Sequence, residues 1–274
     1  MRKIGINAGL GFDLDRCDML RHIKQAGFDA VFTDWSEGCP LPLWKQTADE
    51  LGLEMPFVHA PFKGMSKVWE DGTEGDEVME RLKRCIADTA AVGVSMVICH
   101  VYIGFPTKHT VNEIGLARWR DLLDYAHAHG VRVAFENTEG DEILKDLLTA
   151  LHDHPATGFC IDTGHEMCYN RSRDMITPYG DLLIATHLND NLGICGEHIF
   201  WHDDLHLLPG DGIADWEGIA NRLKTVGYEG ILMFELTVRS KPNHHENDAY
   251  LAMGPDAYLQ EAHRRAVRFA ELFE

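Results

Sequence analysis

Six short apolar runs each close on an ionisable residue: PFVH on His59, VICH on His100, AFE on Glu136, FCID on Asp162, IATH on His187 and LMFE on Glu235. A polar group carried to the end of a buried strand is costly unless it meets a partner or a metal. If these runs are neighbouring strands, Glu136, Asp162 and Glu235 converge. Carboxylates so grouped raise one another's pKa, which calls for a cation or a shared proton. With His187 they form a mixed oxygen and nitrogen set suited to Mn2+, Co2+, Mg2+ or Zn2+, with positions left for substrate oxygens. A soft thiolate site is excluded, since Cys99 and Cys160 are expected to face the helices.

Other stretches can reach the same place. In FCIDTGHEM the TG turn after Asp162 can bring His165 back over the cluster, as a donor to a substrate hydroxyl or as a ligand of a further metal. In DLHLLPGDG, Asp204 and His206 are two apart and share a face if the segment is extended, which makes Asp204 a candidate additional ligand. Segments 62–77 and 189–204 are long loops carrying Trp69 and Trp201, read as lids that stack on the apolar face of a sugar or as oligomer contacts. His244 and His245 are expected to be solvent-exposed.

The positioning elements follow a repeated unit. In QAGFDAVFTD, ELGLEMPFVHA, AVGVSMVICH, AHGVRVAFEN and TVGYEGILMFE a helix-like segment stops on Gly and gives way to an apolar run. Strands are predicted near 3–8, 30–34, 54–59, 96–101, 131–136, 158–162, 183–188 and 230–236. Between them lie amphipathic segments such as Asp15 to Ala26, with Asp15 as N-cap, and the last helix spans roughly 255–273. Strands alternating with helices specify a parallel sheet, and eight such units indicate a single-domain (β/α)8 barrel over 1–274 with its site at the C-terminal ends of the strands. A doubly wound sheet is disfavoured, because NAGLGFD lacks a GxGxxG fingerprint.

With 45% hydrophobic and 25% charged residues the chain has the composition of a globular protein. A formal charge of −19 without a basic cluster repels a phosphate backbone and argues against nucleic acid as a partner. No run approaches membrane-spanning length and no signal peptide is evident, so a cytoplasmic protein without membrane association is expected. The seven cysteines lack CxxC pairing and read as reduced core residues.

The ordered set AFEN (134–137), IDTGH (161–165), THLND (186–190), DLHLLPGDG (204–212) and GYEGILMFE (227–235) resembles the xylose isomerase-like barrels, in particular their sugar isomerase and epimerase branch, over nearly the whole chain. The resemblance implies one divalent ion on Glu136, Asp162, His187 and Glu235, with both glutamates also transferring protons through an enediolate. It implies a sugar or polyol substrate contacted by His165 and by Glu142, six residues after Glu136. His59, His100 and His206 are assigned to substrate binding as well, and a homo-oligomer is expected. Many ketose epimerases carry an arginine after the His187 motif where this chain has Asp190-Asn191. A second resemblance is to the apurinic-site endonucleases, in which three zinc ions are held by nine residues. The matching order is His59, His100, Glu136, Asp162, His165, His187, Asp204, His206 and Glu235. A metal-dependent dehydratase or lyase would use the same enolate chemistry.

Overall fold

The computed structural model describes residues 2–105 and 110–274. Eight parallel strands form one sheet: β1 (Ile4–Asn7), β2 (Ala30–Asp34), β3 (Val58–His59), β4 (Met96–His100), β5 (Arg132–Glu136), β6 (Thr157–Asp162), β7 (Leu183–His187) and β8 (Leu232–Phe234). Sequential neighbours pair from β1 to β7, and β8 pairs with β1. The remaining seam closes just beyond β7, where Leu188 bridges Phe234 and the Leu188 N–H donates to the Met233 carbonyl at 2.8 Å. The result is the expected (β/α)8 barrel.

The helices are α1 (Arg16–Ala26), α2 (Leu41–Leu51), α3 (Thr73–Ala91), α4 (Glu113–Ala128), α5 (Asp141–Leu151), α6 (Thr163–Cys168), α7 (Trp216–Thr225) and α8 (Asp248–Glu271). Asp15 caps α1 by accepting from the Cys17 N–H at 2.8 Å. The glycines of the repeated unit, Gly27, Gly52, Gly93, Gly130 and Gly227, all have left-handed φ between 66° and 105°. Only glycine enters that region without a Cβ penalty, so each one ends its helix and turns the chain toward a strand.

Two boundaries differ from expectation. β3 begins at Val58 rather than near 54, because Pro56 has no N–H for the ladder; the earlier part is held only by a bridge between Ala30 and Glu54. α8 starts at Asp248, with a break at Gly254 before Pro255, so the expected helix from 255 is preceded by an extra turn. Among the described residues no helix is long and apolar enough to cross a membrane.

Side chains alternate along the strands, apart from an irregularity at Ile184 in β7, and this builds the floor of the site. Phe57, Ile98, Ala134, Cys160, Ala185 and Met233 pack together inside the barrel. Each lies two residues before His59, His100, Glu136, Asp162, His187 or Glu235, so those strand-end side chains share its inward direction one layer higher. Cys160 therefore faces the barrel axis, correcting the expectation that it meets the helices. Cys99, one residue before His100, packs outward with Val97 and Val101 as expected.

Candidate metal centre

Above that floor Glu136 occupies the middle and is fully buried. Its Oε1 lies 3.0 Å from His187 Nδ1 and 3.4 Å from His165 Nδ1. Its Oε2 lies 3.3 Å from His59 Nε2 and 3.1 Å from His100 Nε2. Glu235, the residue after β8, comes within 3.2 Å of His187 Nδ1 and is more accessible, with 18% of its side chain exposed. Phe32 stacks on the His187 ring at 4.8 Å and Phe62 on that of His100 at 4.7 Å, fixing both planes.

Asp162 has two duties. Its Oδ1 accepts from the His165 N–H at 2.7 Å and so caps α6, while Oδ2 accepts from Asn189 Nδ2 at 2.9 Å. Thr163 and Gly164 thus enter a helix rather than a reversing turn, and His165 reaches the mouth from its first turn. His165 is held by Nδ1 at 2.9 Å from the Asn137 carbonyl. Its Nε2 faces Asp204 Oδ1 at 3.5 Å, and Asp204 Oδ1 in turn lies 3.0 Å from His206 Nε2. Asn137, itself buried, donates to the Asp162 carbonyl and to Asn170, tying β5, β6 and the segment after α6 together.

The potential ligand atoms fall into contiguous groups. Glu136, Asp162, His187 and Glu235 form one; His59, His100 and Glu136 a second; His165, Asp204 and His206 a third, with ligand atoms inside each group within 4.8 Å of one another. Glu136 belongs to two of them. The ring nitrogens of His100 and His187 turned away from these carboxylates, Nδ1 and Nε2 respectively, are buried without hydrogen-bond partners. Three carboxylates and an imidazole grouped so closely with little access to water are what a divalent-ion site requires, and the oxygen and nitrogen set fits the metals expected.

The electrostatics agree. Burial opposes ionisation of Glu136, but the charges of His187 and His100 outweigh it and hold the carboxyl well below its ordinary value. Glu235 is only half-buried; desolvation opposes its ionisation too, but His187 holds it at about 2. Burial dominates at Asp162 and pushes it up to about 6. Against their burial, His187 and His165 are raised well above the usual imidazole range, the former by Glu235 and Glu136 and the latter by Asp162 and Asp204. Protons on these imidazoles supply the positive charge that a metal supplies when bound.

Every strand-end residue singled out in the sequence meets at this mouth, together with His165, Asp204 and His206. Glu142 stands back from the strand ends, exposed on the first turn of α5, where it lines the outer part of a neighbouring cavity. Glu139 takes the inward position instead. It is buried, accepts from the Gly104 N–H at 2.6 Å and is pushed up to about 7 by desolvation. It lines a cavity of about 500 Å³ with Tyr102, Phe105 and Tyr169, and the Tyr169 ring lies 4.8 Å from that of His165. Trp69 is no lid: it is buried, donates to the Val101 carbonyl at 3.2 Å and packs over Gly115. Trp201 is 41% exposed, with the Lys241 ammonium 5.6 Å from its ring centre. Lys241 lies at the mouth, 3.4 Å from Asp204 Oδ2. Asp190 is a structural knot, its carboxylate accepting from Gly210 N, Ala214 N and Trp216 Nε1.

Residues 20–262 match the family model described as xylose isomerase-like TIM barrel. An uncharacterized protein of Sinorhizobium fredii, y4fM, is 30% identical over 206 residues, 71% of this chain and 60% of the relative. The chain spans about 60% of the length of the curated relatives it matches. A D-psicose 3-epimerase from Clostridium cellulolyticum H10 superposes with a TM-score of 0.75 at 18% identity, covering 100% of both chains. A 3-keto-D-glucoside 4-epimerase from E. coli superposes with 0.68 at 19% identity, over 92% of this chain and 100% of the other.

Proposed function

We infer, for a chain that belongs to the xylose isomerase-like TIM barrel family, a metal-dependent isomerase or epimerase acting on a sugar or related keto-polyol. The observation that carries this reading is the group Glu136, Asp162, His187 and Glu235 at the mouth of a barrel whose structural neighbours include sugar epimerases. These four residues would hold a divalent ion, which when bound polarises a substrate carbonyl and acidifies the neighbouring C–H.

The chain's own residues then divide the work. Glu235 is ionised at neutral pH and has the more accessible carboxylate, which suits it to take the proton from carbon. Its return by Glu235 to the adjacent carbon, together with passage of a proton from the neighbouring hydroxyl oxygen to the former carbonyl oxygen, gives isomerisation. Epimerisation needs delivery from the opposite side, which falls to Glu136; being ionised, it would first take a proton from the imidazolium of His165 beside it and pass that proton to carbon. His165 and His206 are placed to hold substrate hydroxyls, and the aromatic and acidic cavity around Glu139 has room for the rest of a polyol. The test is incubation with Mn2+ in D2O against a panel of ketoses and keto-glycosides. Deuterium on carbon is expected, and no exchange with any of them refutes the reading.

One observation favours a second reading. Glu136 turns Oε1 toward His187 in one ligand group and Oε2 toward His59 and His100 in the next, a placement suited to bridging ions in a multinuclear centre. Such a centre would hydrolyse a phosphoester, a small one given the charge of −19. Three ions per chain and phosphate release from a phosphoester panel, without carbon exchange, would establish it in place of the first.

A further inference from the structure

We propose that Cys195, Asp203 and His244 form a zinc site, separate from the strand-end centre, that clasps the loop after β7 to the loop after β8. Potential ligand atoms of the three side chains lie within 4.8 Å of one another. Thiolate, imidazole and carboxylate are all zinc donors, and tetrahedral bonds of ~2.0–2.3 Å place ligand atoms about 3.3–3.8 Å apart, so a small closure of the loops completes the site.

Each residue carries a feature that its own loop does not explain. Cys195 is the exposed thiol among cysteines otherwise buried or half-buried. Asp203 is only 5% exposed and its carboxylate rests against that thiol. Among the described residues no Lys, Arg or His pairs with Asp203, and the nearby Lys241 pairs with Asp204 instead. A buried carboxylate with a thiol for company calls for a cation. His244, expected to be solvent-exposed, has a side chain only 14% exposed, whereas that of His245 is 84% exposed. Its Nδ1 lies 3.2 Å from the Glu246 carboxylate, the arrangement that orients a metal-bound imidazole and leaves Nε2 for the ion.

Both loops are partly preformed. Asn191 Nδ2 donates to the Asp203 carbonyl at 2.9 Å, and the His244 N–H donates to the Lys241 carbonyl at 3.0 Å. An ion held between them would fix Asp203, and with it the adjacent Asp204 that faces His165 and His206. The site would act as a clasp on the mouth, with a solvent molecule completing the coordination.

Sulfur separates this site spectroscopically from the strand-end centre, whose grouped ligands are all oxygen and nitrogen. The full-length protein, stripped with chelator, is titrated with Co2+ to saturation. A near-ultraviolet thiolate-to-cobalt charge-transfer band is expected, lost in Cys195→Ser and weakened in His244→Ala, while the visible bands of cobalt at the strand-end centre persist. In parallel, Zn2+ should protect Cys195 from alkylation in the wild type and fail to do so in His244→Ala. Because Cys195 and His244 lie in surface loops, circular dichroism should show both variants folded. Cobalt binding without the charge-transfer band, or alkylation of Cys195 at the same rate with and without zinc, overturns the proposal.

Discussion

Asp190→Asn isolates the knot that carries the Asp204–His206 segment. The Asp190 side chain is fully buried; Oδ2 accepts from Gly210 N at 2.7 Å and Trp216 Nε1 at 3.1 Å, while Oδ1 accepts from Ala214 N at 2.9 Å and Asn191 N at 2.9 Å. Asparagine keeps the shape but turns one acceptor into an NH2 group that faces two N–H donors. Two hydrogen bonds to a charged acceptor are lost, each contributing ~1.5–3 kcal/mol, and the stranded donors remain buried. A loss of about 3–5 kcal/mol follows, against a total stability of roughly 5–15 kcal/mol. At ~2–4 °C per kcal/mol for a chain of this size the melting temperature should fall by about 6–20 °C. Urea and thermal denaturation followed by far-ultraviolet circular dichroism measure it. The backbone pair between Asp190 and Leu207 links the knot to His206, so metal affinity should weaken as well. A change below about 1 kcal/mol would show that the knot does not hold the segment.

Arg222 makes a bidentate pair with Glu166, which is 7% exposed, at 2.7 and 2.9 Å; Arg222→Ala leaves that carboxylate buried and unpaired and should cost ~3–5 kcal/mol in denaturant melts. Gly115→Ala drives a Cβ into the Trp69 ring, so overpacking should cost ~1–3 kcal/mol and quench or shift tryptophan fluorescence. In metal-free protein, burial disfavours charge on His206 but Asp204 raises it from 6.5 to about 9, and burial raises Glu139 from 4.5 to about 7. Both native groups therefore bind protons that the unfolded chain has released. Stability declines as pH climbs from each unfolded value through the folded one: buried Glu139 is forced to ionise between about 4.5 and 7, and the His206–Asp204 pair is lost between about 6.5 and 9. The melting temperature should fall as pH rises through both windows. Added divalent metal should reverse that trend, since it competes with the proton on His206.

The barrel was legible because its signals are local. A glycine that stops a helix and an apolar run that ends in a charge are both visible without long-range information, and the five left-handed glycines confirm that unit. The gathering of the strand-end residues follows from the topology. What alternation offered was not fully used: Cys160 is two residues from Asp162 and had to share its face, while Cys99 is one residue from His100 and had to oppose it. Glu139 and Glu142 could not be told apart by spacing from Glu136. The chain leaves the strand register at Gly140, where φ is 78°, and the helix that follows leaves Glu142 exposed at the edge of the cavity that the buried Glu139 also lines. Trp69 and Trp201 look alike as loop aromatics, and only the closeness of α4 at Gly115 buries the first. The central position of Glu136 among four imidazoles depends on ring orientations that no sequence pattern encodes.

Native mass spectrometry of the purified protein, loaded with Mn2+ or Zn2+ and compared with Glu235→Gln, tests the metal centre most directly. Glu235 sits above the packed layer that ends at Met233, so the variant should keep its circular dichroism spectrum. The wild type should retain at least one divalent ion per chain, and the variant should lose affinity for it because one of the four grouped ligands becomes an amide. No bound ion after loading, or equal binding by folded Glu235→Gln, would contradict the assignment of these strand ends to a metal.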